Sequence, residues 1–119
     1  MTTAAVEKNA AAEAVDWVRD QLAFSYVEIG VAVDADERTV RRWKDARAVP
    51  RGIHRTKIEQ LRELQHMLLA VHGTSQAAAV WMRTSVPALR GRTPGSLFRE
   101  GKVSKLIELL ATMESGAFI

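Results

Sequence analysis

The sequence predicts an all-α protein, and three observations support that prediction. Apolar residues recur at the spacing i, i+3, i+4 and i+7, which places them on one face of a helix. Residues that cap helices precede these stretches, and proline or glycine separates them. No stretch alternates apolar and polar residues over the length of a strand. With 119 residues, 47% of them hydrophobic, the chain is long enough for one compact domain or for two small helical subdomains that share a core.

The first predicted helix covers residues 4–24, which are rich in alanine. Ala11, Val15, Val18 and Leu22 form its apolar stripe, whereas its first two turns carry little apolar area. We therefore expect the helix to pack through its later turns.

A second, short helix is predicted to begin after Ser25 and to end at about Val33. Glu28 stands three residues after Ser25, so the hydroxyl and the carboxylate can form a capping box. Ile29 and Val33 are expected to be buried.

The stretch "ERTVRRWKDAR" forms the third predicted helix, with Asp36 as its N-cap. Val40 and Trp43 are three residues apart on one face, so we expect both to be buried. The preceding turn, "VDADE", lacks glycine, but Asp34 tolerates a left-handed backbone.

Pro50 and Gly52 end this helix and precede a long amphipathic helix from about His54 to Val71. Another short helix is predicted to start at Ser75 and to bury Trp81 with Ala78 or Met82. The core stripe of the long helix consists of Ile58, Leu61, Leu64, Leu68 and Val71.

Two further helices are predicted near the end of the chain. Thr93 and Pro94 match an N-cap followed by proline at the first helical position, and predict a short helix through Phe98. A last helix follows Gly101 and ends at Gly116. Its apolar stripe consists of Val103, Leu106, Ile107, Leu110 and Met113.

Residues 38–57 form a strongly basic block, with eight Lys or Arg and one acid, Asp45, for a net charge of +7. The rest of the chain has nine basic and thirteen acidic residues, a net charge of −4. Such a block directs one surface toward a polyanion, as binding to a phosphate backbone requires. The alternative is that the basic helix is merely a solvated face.

Two short helices with a three-residue break, the second of them basic, have the layout of a helix-turn-helix. Because the two apolar residues of the second helix face inward, Arg38, Arg41 and Arg42 face outward, where guanidinium groups can meet guanine edges or phosphates. A structural packing motif without DNA binding is the alternative. The predicted DNA-binding residues are Glu37, Arg38, Thr39, Arg41, Arg42, Lys44, Arg47 and Arg51.

The sequence offers no site for catalysis, a metal or a cofactor. His54, His66 and His72 lack metal-ligand spacing, and no nucleophile elbow or glycine-rich phosphate loop is present. The chain has no cysteine, which excludes disulfides and thiolate sites. No signal segment or membrane-spanning run is seen, so we expect a cytoplasmic protein that has neither a membrane nor a small-molecule substrate as partner.

The stretches "VEIGVAVDADERTVRRWKDARAVP" and "ALRGRTPGSLFREGKVSKLIELLATMESGAF" resemble the MbcA/ParS/Xre antitoxin family, over roughly residues 20–119. In that family an Xre-like helix-turn-helix precedes a helical toxin-binding domain. Two positions depart from the family pattern: Val86 precedes Pro87 where asparagine is usual, and Arg90 stands where glycine is frequent. The matching residues are Leu89, Gly91, Arg92, Thr93, Pro94, Leu97, Gly101, Val103, Leu109, Leu110, Glu114, Gly116 and Phe118.

The resemblance implies an antitoxin that binds and inhibits a RES-domain toxin, an enzyme that degrades NAD, and that represses its own operon as a homodimer. It implies one toxin contact at "LRGRTPGSLFREGK" and another at the C-terminal tail. The alternatives are that Thr93 and its neighbours only cap and turn, and that Phe118 docks on the last helix. The predicted toxin-binding residues are Arg90, Arg92, Thr93, Arg99, Lys102, Gly116, Phe118 and Ile119.

We divide the chain into an N-terminal helical extension (1–19), an Xre-like helix-turn-helix region (20–72) and a C-terminal toxin-binding domain (73–119). The family implies no role for the extension. Two other functions stay open, namely a plain Xre-like transcriptional regulator that dimerises through its C-terminal helices, and an adaptor that does not bind DNA.

Overall fold

The structure, a computed structural model, describes residues 2–116, which form seven α-helices and one short 3₁₀ helix. No strand is present in this part of the chain, and the all-α prediction is confirmed. The α-helices are α1 (Thr3–Gln21), α2 (Tyr26–Val33), α3 (Glu37–Lys44), α4 (Ile53–His72), α5 (Ser75–Met82), α6 (Pro94–Arg99) and α7 (Val103–Glu114), and the 3₁₀ helix is Pro87–Leu89.

The predicted caps of α2 and α3 are present. The Glu28 amide donates to the Ser25 hydroxyl at 3.1 Å, and the Ser25 amide donates to Glu28 Oε1 at 2.8 Å, which completes the capping box. The Thr39 amide donates to Asp36 Oδ1 at 2.8 Å at the start of α3. Between the two helices, Asp34 is left-handed, with φ 58° and ψ 47°. Helix α2, the turn and α3 together form the predicted helix-turn-helix.

One hydrophobic core receives side chains from every α-helix of residues 2–116. Helix α1 packs against α3 and α4, α7 lies along α4, and α6 packs against α2 and α7. Val40 and Trp43, the two inward residues predicted for α3, are 0% and 2% exposed. Other large, fully buried side chains are those of Val15, Val18, Ile29, Val33, Leu61, Leu64, Leu68, Met82, Phe98, Leu106 and Leu110.

Helix α1 ends at Gln21, before the predicted limit at residue 24. Ala23 adopts a left-handed φ of 62°, and the chain then carries Phe24 into the core, where it is 2% exposed. The ring of Phe24 stacks on Phe98 of α6, with centroids 4.3 Å apart. The predicted end was therefore wrong, because this long-range aromatic pair outweighs local helix propensity.

Four residues that were predicted on apolar stripes are only partly buried: Val71, Trp81, Ile107 and Met113. They pack against the margin of the core, and the Trp81 ring lies against His72 with centroids 4.9 Å apart. The prediction that Trp81 is buried is therefore wrong, since one face of its helix lies outside the core. Helix α5 is anchored instead by Ala78, Ala79 and Met82.

Helix α1 crosses the predicted boundary between residues 19 and 20 without interruption. Its inner residues Ala11, Ala14, Val15 and Val18 belong to the same core as the helix-turn-helix. The N-terminal segment is thus packed against the rest of the fold. The three-part division of the chain stays a prediction about functional units.

Candidate functional site

The outer face of α3 carries three exposed arginines, Arg38, Arg41 and Arg42. They face outward because Val40 and Trp43 hold the opposite face of the helix in the core. The orientation expected from the sequence is present, and it gathers three guanidinium groups on the surface that a helix-turn-helix presents to the major groove.

Two residues of the predicted DNA-binding set interact with each other. Arg41 donates to Glu37 Oε1 through Nη2 at 2.9 Å and through Nε at 3.2 Å. This exposed i, i+4 pair directs the Glu37 carboxylate along the helix, toward the arginine. Thr39 is partly buried, and its hydrogen bonds hold the pKa of the Asp36 carboxyl below its usual value. Both Glu37 and Thr39 thus form hydrogen bonds within α3 and its N-cap.

The segment after α3 brings further cations to the same side of the molecule. Ala46 has a left-handed φ of 55°, and the Arg47 amide donates to the Arg42 carbonyl at 2.8 Å, so the chain reverses beside the end of α3. One depression is lined by Arg42, Arg47 and Arg51 together with Lys8 of α1. The structure therefore joins helix and loop cations into one basic surface.

Salt bridges engage only some of these cations. Lys44 lies 3.6 Å from Asp45, in addition to the pair between Arg41 and Glu37. Among the described residues, no salt bridge involves Arg38, Arg42, Arg47 or Arg51. These four guanidinium groups are available to a polyanion.

The loop that leads into α6 is closed by its own backbone. The Val86 amide donates to the Arg92 carbonyl at 3.0 Å, and the Gly91 amide donates to the Val86 carbonyl at 3.2 Å. Arg90 and Gly91 are both left-handed, with φ of 57° and 82°. This geometry holds Arg90 and Arg92 on a short, defined turn rather than on an extended linker.

Helix α6 begins as predicted. The Thr93 hydroxyl accepts from the Ser96 amide at 3.2 Å, and Pro94 occupies the first turn. A Cβ on Gly95 would lie 2.7 Å from the Met82 carbonyl oxygen, so only glycine permits this approach of α6 to the end of α5. Thr93 therefore has a structural role whether or not it also touches a partner.

The cations predicted around α6 are exposed: Arg90, Arg92, Arg99 and Lys102. Glu100 lies among them, in salt bridges with Arg92 and, at 3.1 Å, with Lys102. Hydrogen bonds from Arg92 and Lys102 hold the pKa of the Glu100 carboxyl below its usual value. A carboxylate thus lies within the predicted basic surface and fixes two of its cations.

Arg99 links this surface to the helix-turn-helix. Its Nε donates to Glu28 Oε2 at 2.6 Å, and its guanidinium lies 5.1 Å from the centroid of the Phe24 ring. Glu28 uses its other oxygen in the capping box of α2. The hydrogen bond from the Ser25 amide, together with that from Arg99, lowers the pKa of Glu28. No sequence pattern indicates this contact, because 71 residues separate its partners.

The last predicted toxin contacts lie at the end of the chain. Gly116 is exposed after α7 and has a φ of 83°. Phe118 and Ile119 lie outside the described residues.

His72, at the end of α4, has its Nε2 buried without a hydrogen-bond partner within residues 2–116. Burial lowers the pKa of this histidine. In the same part of the chain, no group of three or more His, Cys, Asp or Glu side chains is arranged to hold a metal ion. None of the helices described is long and apolar enough to cross a membrane.

The chain is similar to known proteins over most of its length. Residues 67–116 match the model of the antitoxin Xre/MbcA/ParS C-terminal toxin-binding domain. The mycobacterial cidal antitoxin MbcA, from Mycobacterium bovis and from Mycobacterium tuberculosis, is 31% identical over 111 residues, which are 93% of this chain and 97% of the relative. The chain belongs to the Xre/MbcA/ParS antitoxin family. It also resembles a chain in the crystal structure of the M. tuberculosis MbcT–MbcA toxin–antitoxin complex, with a TM-score of 0.62, 30% identity, and coverage of 91% of this chain and 96% of that chain.

The match to the toxin-binding domain model begins at residue 67, inside α4. This agrees with the packing of α7 along α4. The three-part division of this Xre/MbcA/ParS antitoxin stays a prediction. The left-handed backbone of Arg90 also gives a physical reason for the glycine that is frequent there in the family.

Proposed function

We propose that this antitoxin neutralises a RES-domain, NAD-degrading toxin by direct binding in the cytoplasm, and that it acts by binding rather than by catalysis. The observation that carries the proposal is its likeness, over 91% of the chain, to a protein of a toxin–antitoxin complex. The match of residues 67–116 to a toxin-binding domain supports it independently.

The contact surface that we propose is formed by the turn before α6 and by the cations around that helix. Arg90 and Arg92 stand on a turn that is closed by backbone hydrogen bonds, so little backbone conformational entropy is lost when they bind a partner. Arg99 and Lys102 are exposed at the C-terminal end of α6 and extend the surface there. Glu100 keeps Arg92 and Lys102 in place before the toxin arrives.

The C-terminal tail is the second contact that we propose. Phe118 and Ile119, which follow Gly116 in the sequence, are two large apolar side chains that enter the toxin active site in this proposal. Deletion of residues 117–119 should leave the melting temperature nearly unchanged but release toxin activity, even if the two proteins still co-purify. A truncated chain that inhibits as well as the full one would assign inhibition to the Arg92 surface instead.

Co-expression tests the partner. The chain is tagged and produced together with the RES-domain protein encoded beside its gene, and the expected result is a complex that survives purification. Combined Arg90→Gln and Arg92→Gln substitutions should weaken the complex about 30-fold, which corresponds to about 2 kcal/mol for charged interface contacts. Lys105→Gln removes one charge from the exposed side of α7 and serves as the control. Failure of the wild-type pair to associate would contradict the proposal.

We further propose that the protein represses its own operon by binding operator DNA as a homodimer. The basic surface of α3 and the following loop supports this, because Arg38, Arg42, Arg47 and Arg51 are exposed and form no salt bridge among the described residues. Two copies would place their α3 helices on half-sites about 34 Å apart.

The DNA proposal is tested with a duplex that covers the region upstream of the gene. Replacement of Arg38, Arg41 and Arg42 by alanine should abolish binding, at about 1 to 3 kcal/mol for each base contact, while toxin neutralisation persists. If this variant and the wild type bind the duplex with equal affinity, the proposal that α3 binds operator DNA is contradicted. DNA binding without any toxin partner would instead identify a plain transcriptional regulator.

A further inference from the structure

Helix α1 carries two basic residues, Lys8 and Arg19, to which no sequence pattern gives a role. Their separation of eleven positions is close to three helical turns, so they share one face of α1, about 16 Å apart along its axis. Helix α1 packs against α3. The two cations are therefore placed beside two different parts of the α3 surface.

At the first position, Lys8 completes a ring of positive charge. It lines a depression with Arg42, Arg47 and Arg51, and the other lining residues are Ala4, Ala48 and Val49. No acidic residue of the described chain lines this depression. Four like charges around one concave site repel one another and attract an anion.

At the second position, Arg19 and Arg41 both stack on the ring of Tyr26. Each guanidinium carbon lies 4.5 Å from the ring centroid. The Tyr26 ring thus holds one arginine from α1 and one from α3. Stacking of this kind restricts a cation without using its hydrogen-bond donors.

The Arg41 group keeps free donors in this arrangement. Its Nε and Nη2 each donate to Glu37, while a guanidinium has five N–H donors in total. Arg19 is exposed, and it forms no salt bridge within residues 2–116. Arg19, Arg41 and Glu37 together have a net charge of +1. This charge can neutralise one phosphate.

We propose that Lys8 and Arg19 are phosphate contacts for duplex DNA, and that Tyr26 is a positioning residue that holds Arg19 and Arg41 for this contact. The inference rests on the proposed DNA binding and extends its surface from the helix-turn-helix to α1. It gives the N-terminal helix a function besides its contribution to the core. Phosphate contacts carry no sequence choice, so the effect is the same on any duplex.

The test is the double variant Lys8→Gln and Arg19→Gln, measured by fluorescence anisotropy on two labelled duplexes of equal length. One duplex is the region upstream of the gene, and the other has an unrelated sequence. A plot of log affinity against log salt concentration has a negative slope, and each lost phosphate contact makes it less steep by about 0.9. The slope of the double variant should therefore be less steep than that of the wild type by about 1.8. At 0.1 M salt this corresponds to about 60-fold weaker binding on both duplexes. Lys105→Gln on α7 is the control and should bind as the wild type does.

The role of Tyr26 is tested by two replacements. Tyr26→Phe keeps both ring faces and should bind DNA within about twofold of the wild type, whereas Tyr26→Leu keeps apolar packing but loses the stacking, and should bind several-fold more weakly. Equal affinities of the two variants would overturn the positioning role. Circular dichroism and melting of each variant check that the fold is intact.

The outcomes separate this inference from the proposed function. If the triple alanine variant of the α3 arginines loses DNA binding and the double variant does not, the contacts of Lys8 and Arg19 are refuted while DNA binding stands. If the wild type binds neither duplex, the proposed DNA binding fails, and the inference fails with it. A loss confined to the upstream duplex would also overturn the inference, because phosphate contacts act on every sequence.

Discussion

Replacement of Trp43 by alanine tests the orientation of α3, on which the whole basic surface depends. Trp43 is 2% exposed, and its ring meets His54 edge-on with centroids 5.2 Å apart. Loss of a buried tryptophan costs about 3 to 5 kcal/mol. A chain of 119 residues has a free energy of unfolding of roughly 6 to 18 kcal/mol, so this loss removes a large share of it.

Urea unfolding monitored by circular dichroism measures this loss in the free energy of unfolding. In thermal unfolding, the melting temperature should fall by about 12 to 20 °C. Trp81→Ala is the matched control: this tryptophan is only partly buried, so its loss should cost about half as much. In a protein with Trp17 and Trp81 both changed to phenylalanine, the fluorescence of Trp43 should resist quenching by acrylamide. A cost below about 1 kcal/mol for Trp43→Ala, or ready quenching, would refute the assigned orientation of α3 and of its arginines.

Three further predictions concern pH and packing. Burial lowers the pKa of His72 in the fold, so the unfolded chain binds a proton more readily than the folded chain, and the free energy of unfolding falls as pH drops below about 6.5. His72→Phe should flatten this fall in urea unfolding at a series of pH values, and an equally steep fall in the variant would contradict the prediction. The pKa of Glu28 is also lowered in the fold. The ionised carboxylate therefore contributes fully to the free energy of unfolding above its unfolded pKa near 4.5, and this contribution is lost as pH falls through the folded pKa. In acid unfolding, Glu28→Gln should show a shallower transition than the wild type. Gly30→Ala places a Cβ 2.4 Å from the Ala35 backbone oxygen and should cost about 1 to 3 kcal/mol in urea unfolding; an unchanged midpoint would show that the turn moves freely.

Features that depend on neighbouring residues could be predicted from the sequence. The capping box of Ser25 and Glu28, the Asp36 cap and the opening of α6 at Thr93 each need residues within one helical turn, and all are present. The inward orientation of Trp43 follows from helical periodicity in the same way. The family was likewise indicated by two stretches of sequence within residues 20–119, and the match of residues 67–116 confirms it.

Features that join distant parts of the chain could not be predicted. The end of α1 depends on Phe24 reaching Phe98, and the bridge between Glu28 and Arg99 spans 71 residues. The depression that Lys8 shares with Arg42, Arg47 and Arg51 also depends on how α1 packs. Helical periodicity shows which face of a helix is apolar, but it does not show which distant residue that helix meets.

Titration of a RES-domain toxin with this chain tests whether the chain is its antitoxin. The purified RES-domain protein encoded beside the gene is incubated with NAD, and the wild-type chain is added in increasing amounts while NAD consumption is followed. We expect NAD loss to stop once the chain and the toxin reach a fixed stoichiometric ratio, and we expect the two proteins then to elute as one complex. Undiminished NAD consumption in excess chain, with the two proteins eluting separately, would contradict it.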